Sequence, residues 1–394
     1  MLDNDMIEFL TYRNAMKSNY RKGVHALRCI LNNRKQAETF AGSLGGVSLV
    51  LGVSQPDGNS EALRALLEGS AVIDQATLTW LKNWWPEQCG SWDTLAADQG
   101  RCNAIATDPF LWERVGVSPV GAGKILAGLV GQDSRNFAAM QAVAASPVAI
   151  AAIYRSDVAL SAVDSEVSAA ATFYGADSVA MGKAVVILAG LDPAGYADMS
   201  AVAANYVALV ALYSNAEALS TAQGTTVGAA ALAGAGSVAT GKAAVKLAGL
   251  DPDDFADMAA VAASSTAMAA VAASATARST LNGASVARQA LKASPLATEL
   301  SLVSSQGQYW DNPGTKAMKG LILATKAGNS DNAFSITKID STSTGASQNT
   351  RNAATSGSTG YLDWYENYPN YAWVMNNITY YAYYTTTKIK YIPC

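Results

Sequence analysis

A 59-residue unit occurs three times in tandem in this chain, without a gap. Gly123-Lys124, Gly182-Lys183 and Gly241-Lys242 stand one such interval apart, as do Met140, Met199 and Met258 and the acids Asp133, Asp192 and Asp251. The second and third copies agree best: GADSVAMGKAVVILAGLDPAGYADMSAVAA from Gly175 against GAGSVATGKAAVKLAGLDPDDFADMAAVAA from Gly234. The first copy, from Gly116, has drifted further. Tandem units of this kind stack on their neighbours, build length and seldom carry a single active site.

A shorter period of ten lies inside each unit. From Met258 to Ala297 the chain reads MAAVAASSTA, MAAVAASATA, RSTLNGASVA, RQALKASPLA. Val261, Val271, Leu281 and Leu291 mark its apolar position; Ser264, Ser274 and Ser294 mark its polar one, with Ser285 one place late. Ser118-Pro119, Ser146-Pro147, Asp192-Pro193, Asp251-Pro252 and Ser294-Pro295 all carry the N-cap-then-proline signature of a helix start. The Leu-Ala-Gly before each Leu-Asp-Pro supplies a glycine stop. Each decapeptide therefore predicts one helix of about two turns. Isolated helices need roughly 12–15 residues, so these depend on stacking, which alanine favours by letting helices approach closely. The pattern predicts a helical solenoid or bundle of short segments, or three such strands wound about one axis. One long coiled coil is the competing reading; it needs a seven-residue period, and the proline breaks oppose it.

The flanks differ in composition. Residues 1–115 hold five of the eight tryptophans, Trp80, Trp84, Trp85, Trp92 and Trp112. Met6 to Leu31 reads as helix, Ser60 caps a second that stops at Gly69, and Gly42 to Gly58 is glycine-rich. In residues 306–394 alanine gives way to Ser, Thr, Asn, Gly and Tyr. Lys319–Thr325, Ala333–Ile339 and the TYYAYYTTTKIKYIPC ending read as strands, with a polar loop over Ser341–Gly360. The expected fold is mixed α and β and multi-domain: an α-helical N-terminal region (1–115), a short-helix repeat shaft of three units (116–305) and a β-rich C-terminal tip (306–394).

Chemistry is sparse. A net charge of -4 leaves no basic footprint for nucleic acid. No long uninterrupted apolar run predicts membrane insertion, and the acidic start MLDNDMIEFL predicts no secretory signal. Cys29, Cys89, Cys102, Cys394 and His25 lack the paired spacing of a zinc site, so neither metal nor cofactor is expected. Cys89 and Cys102 are either free thiols, as in a reducing cytosol, or a disulfide. The repeated Gly-Lys fails the phosphate-loop pattern, since Ile125, Ala184 and Ala243 follow where Ser or Thr is required. Those lysines are expected on a solvated helix face. Asp251, Asp254 and Asp257 lack the glycine and glutamate of a calcium loop and read as helix-start acids. No nucleophile–His–acid arrangement forms around His25, and Asp363 with Glu366 is the sole carboxylate pair drawn for glycoside cleavage. No enzymatic activity is expected.

Nine of the seventeen tyrosines fall between Tyr361 and Tyr391. Tyr361, Trp364, Tyr365, Tyr368, Tyr371 and Trp373 are the candidate receptor contacts, because flat amphipathic rings suit stacking on sugars or docking on protein; filling a β-core is the alternative. Trp80, Trp84, Trp85 and Trp92 are the candidate particle-attachment residues, with core packing as theirs.

The alanine-rich decapeptides, such as Ser264–Ala273, resemble segments of bacteriophage tail-fibre and appendage proteins. The ending Thr386-Thr-Lys-Ile-Lys-Tyr-Ile-Pro-Cys394 is similar to distal domains that follow such repeats. The resemblance spans roughly residues 116–394; residues 1–115 match no familiar pattern. It implies a homotrimeric virion component, assembled in the host cytoplasm and released by lysis. Its N-terminal part would attach to tail, neck or baseplate proteins, and its tip would meet host surface polysaccharide or protein. A bacterial surface adhesin or other repeat binding protein is the alternative, and a polysaccharide depolymerase a further one.

Overall fold

The computed structural model describes Ala71–Val303 apart from Gln88, the isolated residues Cys29, Gln36, Thr39 and Ser43, and segments 314–326, 335–339, 362–363, 372–374, 377–381 and 386–394. The expectations for Met6–Leu31, Gly42–Gly58, Ser60–Gly69 and Ser341–Gly360 lie outside those residues, Cys29 and Ser43 excepted. The described protein is mostly helical, with antiparallel strands towards its C-terminal end. The chain divides into two compact units, Met1–Ala184 and Val185–Cys394, a cut that falls at neither compositional boundary, 115 or 305.

Element starts recur at the 59-residue spacing. Eleven-residue helices span Pro119–Leu129, Ser178–Leu188 and Ser237–Leu247. Three-residue 3-10 turns follow at Ser134, Pro193 and Pro252. Short helices then begin at Met140, Met199 and Met258, at Pro147, Tyr206 and Ser265, at Asp157, Ala216 and Ala275, and at Val167, Thr226 and Ser285. The caps carry the ten-residue period. Ser146, Ser156 and Glu166, then Asn205, Asn215 and Thr225, then Ser264 and Ser274 each accept a hydrogen bond from a backbone N–H in the first turn. Such caps satisfy donors that a two-turn helix otherwise leaves open. Asn215 and Ser274 do more. Asn215 Nδ2 donates to Leu188 O at 2.9 Å and Ser274 Oγ to Leu247 O at 3.0 Å, which fastens the end of the eleven-residue helix.

Three expected helix starts are corrected. Asp192-Pro193 and Asp251-Pro252 open 3-10 turns, not α-helices. Gly190 and Gly249 just before them adopt φ of 78° and 83°, which turns the chain. The backbone is extended again at Tyr196 and Phe255, and the next helix starts only after Asp198 and Asp257. Ser294-Pro295 opens a turn, since strand β1 follows at Thr298.

The capped pattern also runs upstream of Gly116. Asp98, Asp108 and Ser118 are N-caps ten residues apart. Helix Gln99–Thr107 packs on Pro109–Gly116 as Asp157–Ser165 packs on Val167–Tyr174. A boundary at residue 115 therefore cuts a continuous helical run. In the first unit, Pro119–Leu129 lies against Trp92–Ala96, Gln99–Thr107 and Met140–Ala144; in the second, Ser237–Leu247 lies against Tyr206–Ser214, Met258–Ala263 and Ala275–Gly283. Met140, Met199 and Met258 are buried, and Val261, Val271, Leu281 and Leu291 are each 0% exposed. The backbones meet where Gly123 faces Ala139–Met140 and Gly241 faces Asp257–Met258. A Cβ on either glycine would stand 2.5 or 2.6 Å from backbone atoms.

Strand β1 (Thr298–Val303), β3 (Gly320–Lys326), β5 (Leu362–Asp363), β6 (Ala372–Val374) and β8 (Thr386–Pro393) form one sheet in the order β1-β8-β3-β5, with β6 also on β3. β2 (Gly314–Ala317), β7 (Asn377–Tyr381) and β4 (Ser335–Ile339) form a second, in the order β2-β7-β4. Leu321, Ile322, Leu323 and Ala324 are all buried, so both faces of central β3 are covered, and helix Ser265–Ala273 packs on β3 and β8. β1 lies before residue 305 yet pairs with the C-terminal strand, Thr298 opposite Tyr391, so the sheet begins earlier than the change in composition.

Ser264→Ala removes one cap and is expected to destabilise by about 1 kcal/mol. Ser274→Ala loses the Leu247 bond as well and is expected to cost more, while Ser265→Ala, exposed and outside the cap, changes stability by less than about 0.5 kcal/mol. Thermal unfolding of the three variants measures the order.

Candidate functional site

The described residues place one aromatic cluster at the surface of the first unit. Helix Ala71–Lys82 buries Ile73, Ala76, Leu78 and Leu81 and leaves Trp80 half-buried on another side. Its C-terminal turn hydrogen-bonds the N–H groups of Trp84 and Trp85 to Leu81 O at 2.8 and 3.0 Å. Phe110 sits in the first turn of Pro109–Gly116, where Asp108 Oδ1 accepts from the N–H groups of Phe110 and Leu111. The ring centroids of Trp80, Trp84 and Phe110 form a triangle with sides of 5.6–5.9 Å, all tilted pairs. Arg114, one turn after Phe110, lays its guanidinium 3.5 Å from the Phe110 centroid and 5.2 Å from that of Trp80. Its Nη1 donates to Phe110 O at 3.0 Å. Burial lowers the Arg114 pKa, which neighbouring Glu113 partly opposes. Arg101 stands 5.2 Å from the Trp85 ring. The rings are held by cation–π and tilted ring–ring contacts, while Trp84 stays 50% exposed.

Trp92 does not belong to it. It is 7% exposed and sits over Gly121, where an added Cβ would meet its ring at 2.6 Å. It is therefore a packing residue of the first unit, not an attachment surface. Trp373 is corrected likewise: it lies opposite Leu321 on β3, is 1% exposed and ranks among the largest buried side chains, so it fills the sheet core. Tyr361, Trp364, Tyr365, Tyr368 and Tyr371 lie outside the described residues. Sequence reasoning missed Phe110 and Arg114. Asp108-Pro109, the same helix-start signature found in the repeats, places them one turn apart on one helix.

No family model matches the chain. No curated protein matches it in sequence.

The Gly-Lys lysines are not equivalent. Lys124 is 8% exposed, against the expected solvated face. Its Nζ donates to Asp93 Oδ1 at 2.6 Å and to Ser134 O at 3.0 Å, and Ser134 Oγ donates to the same carboxylate oxygen at 2.7 Å. Burial raises the Asp93 pKa, but the bonds from Lys124 and Ser134 outweigh it and hold the carboxyl below its ordinary 3.8. Lys242 instead reaches exposed Asp253 at 2.8 Å. The position matching Asp253 in the first copy is Arg135, itself paired with Asp133 at 2.7 Å, so Lys124 turns to the helix Trp92–Ala96. Cys89 and Cys102 are both buried and free. Burial pushes the Cys102 thiol up to about 12.

Lys124→Ala is expected to destabilise by about 2 kcal/mol, because it strands a partly covered carboxylate, whereas Lys242→Ala leaves the melting temperature unchanged. The Asp93 contribution is present above pH 3.8 and is lost as pH falls through its lower folded-state pKa. Melting curves of both variants between pH 2 and pH 7, on the order of one-unit steps, check the contrast; equal losses would contradict it.

Proposed function

We propose that the chain is a non-enzymatic structural protein of a bacteriophage virion, a homotrimeric tail fibre or a neck, collar or baseplate appendage. In this reading the protein is multi-domain. The 59-residue units form a helical shaft and the strands around β3 and β8 belong to a tip that contacts the host surface. The observation that carries the reading is the recurrence of capped two-turn helices at a fixed interval, followed by an antiparallel sheet. Repeated short helices supply length and interfaces rather than a reaction centre. The resemblance of the alanine-rich decapeptides and the C-terminal ending to phage fibre segments gives that architecture its biological setting.

The Trp80–Trp84–Phe110 face is the particle-facing contact in this proposal, with half-exposed Trp84 as its anchor. Aromatic and arginine side chains dominate interface energetics. Tyr361, Trp364, Tyr365, Tyr368 and Tyr371 remain the proposed host contacts.

Light scattering on the full chain is expected to give three times the 40.8 kDa monomer mass, and the chain is expected to co-sediment with particles from a lysate of the producing cells. Trp84→Ala is expected to keep the trimer and lose most particle association. A monomer that stays in the particle-free fraction would contradict the proposal.

A further inference from the structure

We draw no further inference here: the strongest candidate, the surface valines in the first turns of the repeat helices, Val148 and Val179 in the first unit and their counterparts Val207 and Val238 in the second, all 47–55% exposed, carries none, because nothing in the structure shows what covers them.

Discussion

The eleven-residue helix of each described seam meets the next helix start with no room for a side chain between them. At Gly123 the facing atoms are the backbone of Ala139 and Met140; at Gly241 they are the backbone of Asp257 and Met258. A glycine in mid-helix costs about 1 kcal/mol relative to alanine, so this contact must return more than it loses. It does so by bringing Met140 or Met258 under the longer helix, with Val143 or Val261 one turn on. Gly131, Gly190 and Gly249, with φ of 72–83°, turn the chain out of the long helix, and the 3-10 turn carries it to the next helix start. The helices that follow are five to nine residues long and would not persist alone. They persist because a polar side chain closes most starts, the alanine-headed ones at Ala139 and Ala284 excepted, and because their apolar positions have a core to enter.

The divergence of the first copy follows from what it packs against. Its long helix carries Gly121 under Trp92 and Gly128 under Ala96 O and Cys102 Sγ. The matching residues of the third copy are Ala239 and Lys246. Lys124 and Ser134 are bound to Asp93 on the same side. These changes are what a repeat needs when its neighbour is not another copy but the tryptophan-bearing helices before it. Terminal modules of stacked arrays are atypical for this reason.

Much of the helical region was legible in sequence. The serines at Ser118, Ser146, Ser264 and Ser274 became caps, and the spaced valines and leucines became core, whereas the asparagine caps Asn205 and Asn215 emerge only in the structure. The misses have physical causes. Asp108-Pro109 and Asp98 carried the ten-residue rhythm upstream of residue 115, but bulky aromatics replaced alanine and hid the continuity. Leu-Asp-Pro read as a helix start because cap chemistry is the same for a 3-10 turn as for an α-helix; only the length differs. Composition placed the tip boundary at 305, whereas strand pairing recruits Thr298–Val303 across a long sequence separation. Trp373 looked like a surface aromatic among tyrosines, and only the pairing of β6 with β3 buries it. Which ring of an aromatic-rich segment faces inward is set by register, and register is not visible in composition.

Gly241→Ala tests the seam by the sign of its effect. Helix propensity alone predicts a gain of about 1 kcal/mol and a higher melting temperature. The backbone contact predicts the reverse, a loss of about 1–3 kcal/mol, because the added methyl meets Asp257 and Met258 main-chain atoms that cannot rotate away. Gly195→Ala, where an added Cβ meets nothing within 4 Å, is the control and is expected to be neutral. Thermal unfolding of the two variants decides it. A lowered melting temperature for Gly241→Ala is the predicted result, and a raised one would contradict the account of how these units are held together.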